Sequence, residues 1–146
     1  MADDRLQGMT APVPVSGIRD QELIGEGQRY FEELRESEHA VGLLIVKNDE
    51  DFTIIHAGRN LIHFLGYRTG EFNGRFLKMT DLVYPPELGF LHDSLASQLN
   101  TSSFFEVRIR ILNKEGKLVW VLSKGYRAAG GQGQEYLIHV LIEEPR

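Results

Sequence analysis

The chain has 146 residues, with 16 basic and 21 acidic side chains and a formal net charge of −5. That length suits one domain with its own core, and the acidic balance argues against a general nucleic-acid or anionic-membrane surface, which needs clustered Lys and Arg. With no cysteine at all, disulfides, thiolate metal sites and cysteine nucleophiles are excluded. The longest uncharged apolar run, Ala40 to Val46, is too short to span a bilayer, and the start, acidic at Asp3 and Asp4, lacks the basic and apolar segments of a signal peptide. The expectation is a cytoplasmic protein with no membrane contact within this chain.

Residues 1–19 mix Pro12, Pro14, small residues and charges without an apolar period, and read as a flexible leader. A helix follows over 20–38, where Leu23, Ile24, Gly27, Phe31 and Leu34 recur at helical spacing among Glu, Gln and Arg. Gly25 and Gly27 each weaken a helix by up to about 1 kcal/mol relative to alanine, so this helix needs packing against the domain or another chain. Ala40 to Lys47 and Phe52 to Ala57 read as two strands of a hairpin turned by Asn48-Asp49-Glu50-Asp51.

Asn60 to Leu65 gives a turn or two of helix. Gly66 to Met79, broken by Gly66, Gly70 and Gly74, gives further short helices. Pro85 and Pro86 open a longer helix to about Asn100, with Leu88, Leu91, Leu95 and Leu99 as an inward stripe. Phe105, Val107, Ile109 and Ile111 then alternate with Glu106, Arg108 and Arg110, the pattern of a strand with one buried face. Asn113 to Gly116 makes a turn, Leu118 to Ser123 returns, and Gly130 to Gly133 makes a second turn. The last strand, Tyr136 to Ile142, is apolar except at His139 and so reads as central. The order of elements implies an α+β fold: an antiparallel sheet with short helices and one longer helix on one face, preceded by an N-terminal helix.

The spacing Gly66-Tyr67, Glu71, Gly74, followed by Asp81-Leu82-Val83-Tyr84-Pro85, resembles the middle segment of PAS domains. A second marker follows in order, with Phe105-x-Val-Arg-x-Arg, Lys114-Glu115-Gly116 and Val119-Trp120-Val121. The resemblance implies a domain over 39–146 with five strands in the order 2-1-5-4-3. It also implies a sensory or interaction module in a signal-transduction protein. Two positions depart from the family pattern: Gly58 stands where many members carry Asn, and no Asp ends the last strand at Leu141-Ile142-Glu143-Glu144.

Enzymatic motifs are missing: there is no nucleophile elbow, no H-E-x-x-H and no phosphate-cradling loop. The chain is therefore read as a non-enzyme, with a small enzyme of unrelated α+β type as an alternative. Asn73-Gly74-Arg75-Phe76-Leu77 looks like the flavin-adduct run of light-sensing PAS domains, but Gly74 stands in place of the cysteine, so no cysteinyl–flavin adduct can form. His92, on the long helix after Pro85, stands at a spacing similar to that of the axial histidine in haem-binding oxygen-sensing PAS domains, so the resemblance implies a haem-sensing alternative, which suits neutral imidazole as an iron ligand and a wall of Leu88, Leu91 and Leu95. His56, His63 and His139 sit on different elements, and no metal site is assigned to them. His139 reads as a hydrogen-bonded core or interface residue.

No cofactor is assigned; haem and flavin remain the named alternatives. A ligand cavity in the PAS manner would be lined by Leu61, Leu65, Leu91, His92 and Leu95. The inward strand faces, expected at Val107, Ile109, Ile138 and Val140, would complete it. The 20–38 helix is the expected homodimer contact through Ile24, Phe31 and Leu34. The expected partners are a small molecule and an output domain such as a histidine kinase or diguanylate cyclase, with a ligand-free dimerisation module as a further alternative.

Overall fold

The computed structural model describes residues 18–130 and 133–144. The leader expected over 1–19 lies outside these up to residue 17, as do two residues of the 130–133 turn. Helix α1 spans Ile18–Glu38, with Asp20 in its first turn and Arg35 in its last, each favourable to the helix dipole. Strand β1 (Ala40–Lys47) and strand β2 (Ile54–Ala57) form the expected hairpin. Short helices α2 (Arg59–Phe64) and α3 (Thr69–Arg75) follow, then α4 (Leu88–Leu99) and strands β3 (Phe104–Leu112), β4 (Leu118–Ala129) and β5 (Glu135–Glu143).

The strands form one antiparallel sheet in the order β2-β1-β5-β4-β3, the order the family resemblance implies, with β5 central. Side chains alternate across a strand, so the sheet has two faces and the chain builds two apolar clusters. On the inner face, Leu44, Val107, Ile109, Val121, Leu137 and Leu141 pack with residues of α2, α3 and α4. On the outer face, Leu43, Ile45, Ile138, Val140 and Ile142 pack with Leu23 and Phe31 of α1. The sheet is thus covered on both sides, by α1 on one and by the other helices on the other.

Gly27 explains how α1 approaches so closely. A Cβ there would meet Ile45 Cδ1 at 3.0 Å and Leu43 Cδ1 at 3.2 Å. The glycine that weakens the isolated helix is what lets it seat on β1.

Helix α1 begins at Ile18, inside the stretch expected as leader, and three further boundaries differ from the sequence expectation, each for a local reason. The second strand starts at Ile54 rather than Phe52. The Asp49 side chain accepts hydrogen bonds from Thr53 N–H and Oγ1, at 3.0 and 2.8 Å, and keeps 49–53 in a turn in which Phe52 has φ +51°. Pro85–Glu87 forms a separate 3-10 turn before α4. The Glu87 carboxylate leaves that turn to accept bonds from Arg110 N–H and Nε–H, both at 2.7 Å. Strand β4 runs six residues past Ser123 because it pairs with β5 as far as Ala129.

Candidate functional site

The inner face of the sheet contains one cross-strand row with unusual chemistry: Phe105, Gly125, His139 and Leu44 stand side by side on β3, β4, β5 and β1. Gly125 has no side chain for a reason. A Cβ there would lie 1.9 Å from Ile138 O and 2.5 Å from Phe105 Cζ, so the Phe105 ring crosses this position and reaches the His139 ring, with centroids 4.9 Å apart.

His139 is 0% exposed, and so is Ser123, whose Oγ lies 2.8 Å from His139 Nδ1. Burial pushes the His139 pKa down to about 3, so the ring is neutral at ordinary pH. Among the described residues no hydrogen-bond partner reaches its Nε2. Ser123 and His139 are, among the described residues, the polar side chains with no exposure at all. The expectation that His139 is a hydrogen-bonded core residue holds for Nδ1 alone.

Of the residues expected to line a cavity, Leu61, Leu65, Leu91, Leu95, Val107 and Ile109 do come together in the inner cluster. Ile138 and Val140 do not. They belong to the outer cluster with α1, and their inward neighbours on β5 are Leu137, His139 and Leu141. The β5 run is apolar on both faces, so alternation could not set its phase; the register with β4 does, pairing Ser123 with Leu141 and Gly125 with His139. Ser123 is an interior residue to which the sequence reading gave no role, and Phe105, expected on a buried face, was not placed beside His139. The signal for them was the glycine at 125 in a strand, which marks a close approach.

His92 lies at the edge of this interior with a backbone carbonyl beside each ring nitrogen, and a neutral imidazole, with its single N–H, donates to one of them at a time. Nδ1 is 3.0 Å from Leu88 O and Nε2 is 2.9 Å from Glu50 O, while the ring stacks on Phe52 at 4.8 Å and 21°. Through the Nε2 contact the imidazole links α4 to the β1–β2 turn. Asn73 and Gly74, in the flavin-like run, are exposed on α3, and only Phe76 of that run is buried. Among the described residues no group of three or more His, Asp or Glu gathers to hold a metal. His63 is exposed on α2, far in role from His139.

The expected dimer contacts divide. Phe31 is 5% exposed and packs onto the sheet of its own chain, so it belongs to the fold; Ile24 and Leu34 are half-buried at the flank of the same cluster. At the β2 edge of the sheet, α1 from the outer face and α2 and α3 from the inner face flank an open groove of ≈ 1190 Å³, lined in part by Arg29, His56, Arg59, Asn73 and Leu77. Burial lowers the His56 pKa, and its Nε2 is buried without a partner. No helix among the described residues is long and apolar enough to cross a membrane.

A family model described as the PAS fold matches residues 54–141. A search of curated proteins finds no match. Among solved structures, the chain is similar to the PAS domain of a protein from Colwellia psychrerythraea, with TM-score 0.59 and 16% identity over 84% of this chain and 97% of that one. It is similar to a sensory box histidine kinase/response regulator from Burkholderia thailandensis, with TM-score 0.57 and 16% identity over 77% and 82% of the two chains. The Drosophila melanogaster Cycle PAS-B domain with bound ethylene glycol gives TM-score 0.58 and 9% identity over 70% and 99%. At these identities the likeness is one of fold.

Proposed function

Because the chain belongs to the PAS fold family, we propose that it is a sensory and interaction module of a signalling protein, in which an event in the domain core is passed to an output domain through α1. The observation that carries this reading is the division of β5. Leu137, His139 and Leu141 face the inner cluster, while Ile138, Val140 and Ile142 face the cluster that seats α1. Close-packed layers transmit displacement rather than absorb it. A ligand that moves the inner residues therefore biases the seat of the helix on the other side.

The similarity to a sensory box histidine kinase supports a kinase-type output, and the PAS-B structure solved with ethylene glycol supports small-molecule occupancy of such a core. In this reading 39–146 is the sensing body, α1 is the flanking signalling helix, the module works in the cytoplasm without catalysis, and a homodimer forms through α1 at Ile24 and Leu34.

The test is hydrogen exchange on the whole chain, with and without a compound found by thermal-shift screening. The expected result is altered protection in both β5 and α1. Protection confined to β5, with α1 unchanged, would overturn the coupling.

A further inference from the structure

We propose that the Gln98 side chain acts as a surrogate strand: it occupies the hydrogen-bonding edge of β3 and so keeps that edge from pairing with β3 of a second copy of this chain. This autoinhibitory contact lies at the rim of the sheet, apart from the two faces that the sensory reading uses.

The sheet order leaves β2 and β3 as edge strands. An edge strand offers a row of unpaired N–H and C=O groups to any chain that approaches it. In an antiparallel pair, alternate residues bond the neighbouring strand and those between turn their backbone groups away. In β3 the residues turned away from β4 are Phe104, Glu106, Arg108, Arg110 and Leu112, and among the described residues all but Arg108 are met by groups outside the five strands. Ser102 Oγ accepts from Phe104 N–H at 3.0 Å. Arg110 N–H donates to the Glu87 carboxylate at 2.7 Å, and Arg110 O accepts from Tyr84 N–H at 2.9 Å. Leu112 N–H donates to Leu82 O at 3.0 Å. Glu106 is met on both of its groups by one side chain: its N–H donates to Gln98 Oε1 at 2.9 Å, and its C=O accepts from Gln98 Nε2 at 2.8 Å.

A primary amide presents a donor beside an acceptor, the same pair that a residue of a neighbouring strand would present to Glu106. The second Nε2 proton goes to Ser94 Oγ at 3.0 Å, one turn back on α4, which fixes the end of the amide that faces each backbone group. Helix α4 is itself anchored in the core by Leu91, Leu95 and Leu99, so the amide is delivered to the edge by a rigid element. The seals at Arg110 and Leu112 are built into the main chain and the Glu87–Arg110 ion pair. The seal at Glu106 is one rotatable side chain.

Swinging Gln98 away therefore opens Glu106 beside the already open Arg108, next to Phe104, which is 62% exposed. Two copies paired antiparallel about Glu106 set Phe104 of each against Arg108 of the other, a favourable cation–π match. The two Glu106 carboxylates oppose that pairing, so the association is reversible.

The experiment compares the full wild-type chain with Gln98→Ala by sedimentation and residue-resolved hydrogen exchange. In the wild type the Glu106 amide should exchange about tenfold more slowly than the Arg108 amide, although both face outward from the same edge. In Gln98→Ala the Glu106 amide should lose that protection at low concentration. As concentration rises, a species of twice the wild-type mass should appear, with Glu106 and Arg108 becoming protected together. Gln98→Glu keeps an acceptor for the Glu106 N–H and loses the donor to its C=O. It should associate in the same way but more weakly, and it decides the matter if the alanine variant does not fold. Equal exchange of the two amides in the wild type, unchanged sedimentation of the folded variants at every concentration, or association without protection of 104–108 would each overturn the proposal.

Discussion

The Lys124 ammonium on β4 lies 2.8 Å from the Glu38 carboxylate at the end of α1, and Tyr126 two residues on donates its hydroxyl proton to Glu26 at 2.8 Å. These contacts tie the helix to the outer sheet face at two heights. The hydrogen bond to Glu38 raises the Lys124 pKa, as expected for an ammonium held by a carboxylate. Lys124→Met should cost about 0.5–1 kcal/mol of stability, the range for a partly exposed pair. It should also speed amide exchange in the last turns of α1 more than in β5. Uniform acceleration across the chain would contradict this picture of a local tie.

Gly125→Ala places a methyl group against both Phe105 and the carbonyl of Ile138. Overpacking of this kind costs about 1–3 kcal/mol, read as a lower denaturation midpoint at unchanged m-value. Adding Phe105→Leu should recover little of it, because the carbonyl clash is with backbone and stays. Full rescue by the second change would show that the ring alone forbids a side chain here.

Stability should fall as pH drops from neutral. His139 has a folded-state pKa of about 3 against 6.5 for the free group, so between these values the unfolded chain binds one more proton at this site. The contribution is complete above pH 6.5 and declines by about 1.4 kcal/mol per unit below it, so that about 2 kcal/mol has been lost by pH 5. His56, also lowered by burial, adds in the same direction. Asp49, lowered by its bonds from Thr53 and its neighbours although burial opposes them, does so at more acid pH. Asp20, raised by burial, works the other way. Comparison with His139→Phe isolates one group: the urea midpoint of the variant should fall less steeply between pH 6.5 and 4. Parallel slopes would mean that the ring is protonated in the fold.

Phe31 and Leu34 should behave differently although they lie one turn apart. Phe31→Ala empties a buried site and should cost about 3–5 kcal/mol. Leu34→Glu, at a half-buried position, should leave the fold cooperative and shift sedimentation from dimer to monomer. A wild-type chain that sediments as a monomer at all concentrations would remove the dimer from the reading.

His92→Ala should lower stability by about 0.5–1.5 kcal/mol through loss of the contact that joins α4 to the β1–β2 turn, with the absorption spectrum unchanged. A Soret band in the wild-type protein that disappears in this variant would establish His92 as an iron ligand.

Much of the fold was legible because its signals are local. The alternation from Phe105 to Ile111, the leucine stripe from Leu88 to Leu99 and the glycine-punctuated turns from Gly66 each report the geometry of their own segment. The family spacing supplied the strand order that periodicity cannot give, and pairing bears it out. The site was legible in part. Six of the expected lining residues meet in the inner cluster, since amphipathic elements point their apolar stripes the same way.

What the sequence could not reveal lay wherever both faces of an element are apolar or a partner comes from far along the chain. The β5 run could face either way, and only its pairing with β4 put His139 beside Ser123 and turned Ile138 and Val140 toward α1. His92 was a candidate ligand by family spacing, and only the tertiary structure set Glu50 O of the distant hairpin turn beside its second nitrogen. Composition and periodicity determined the α+β elements and the absence of thiol chemistry. Tertiary structure decided which polar groups lie buried together, because a hydrogen bond between residues far apart in sequence depends on register and leaves no trace in local pattern.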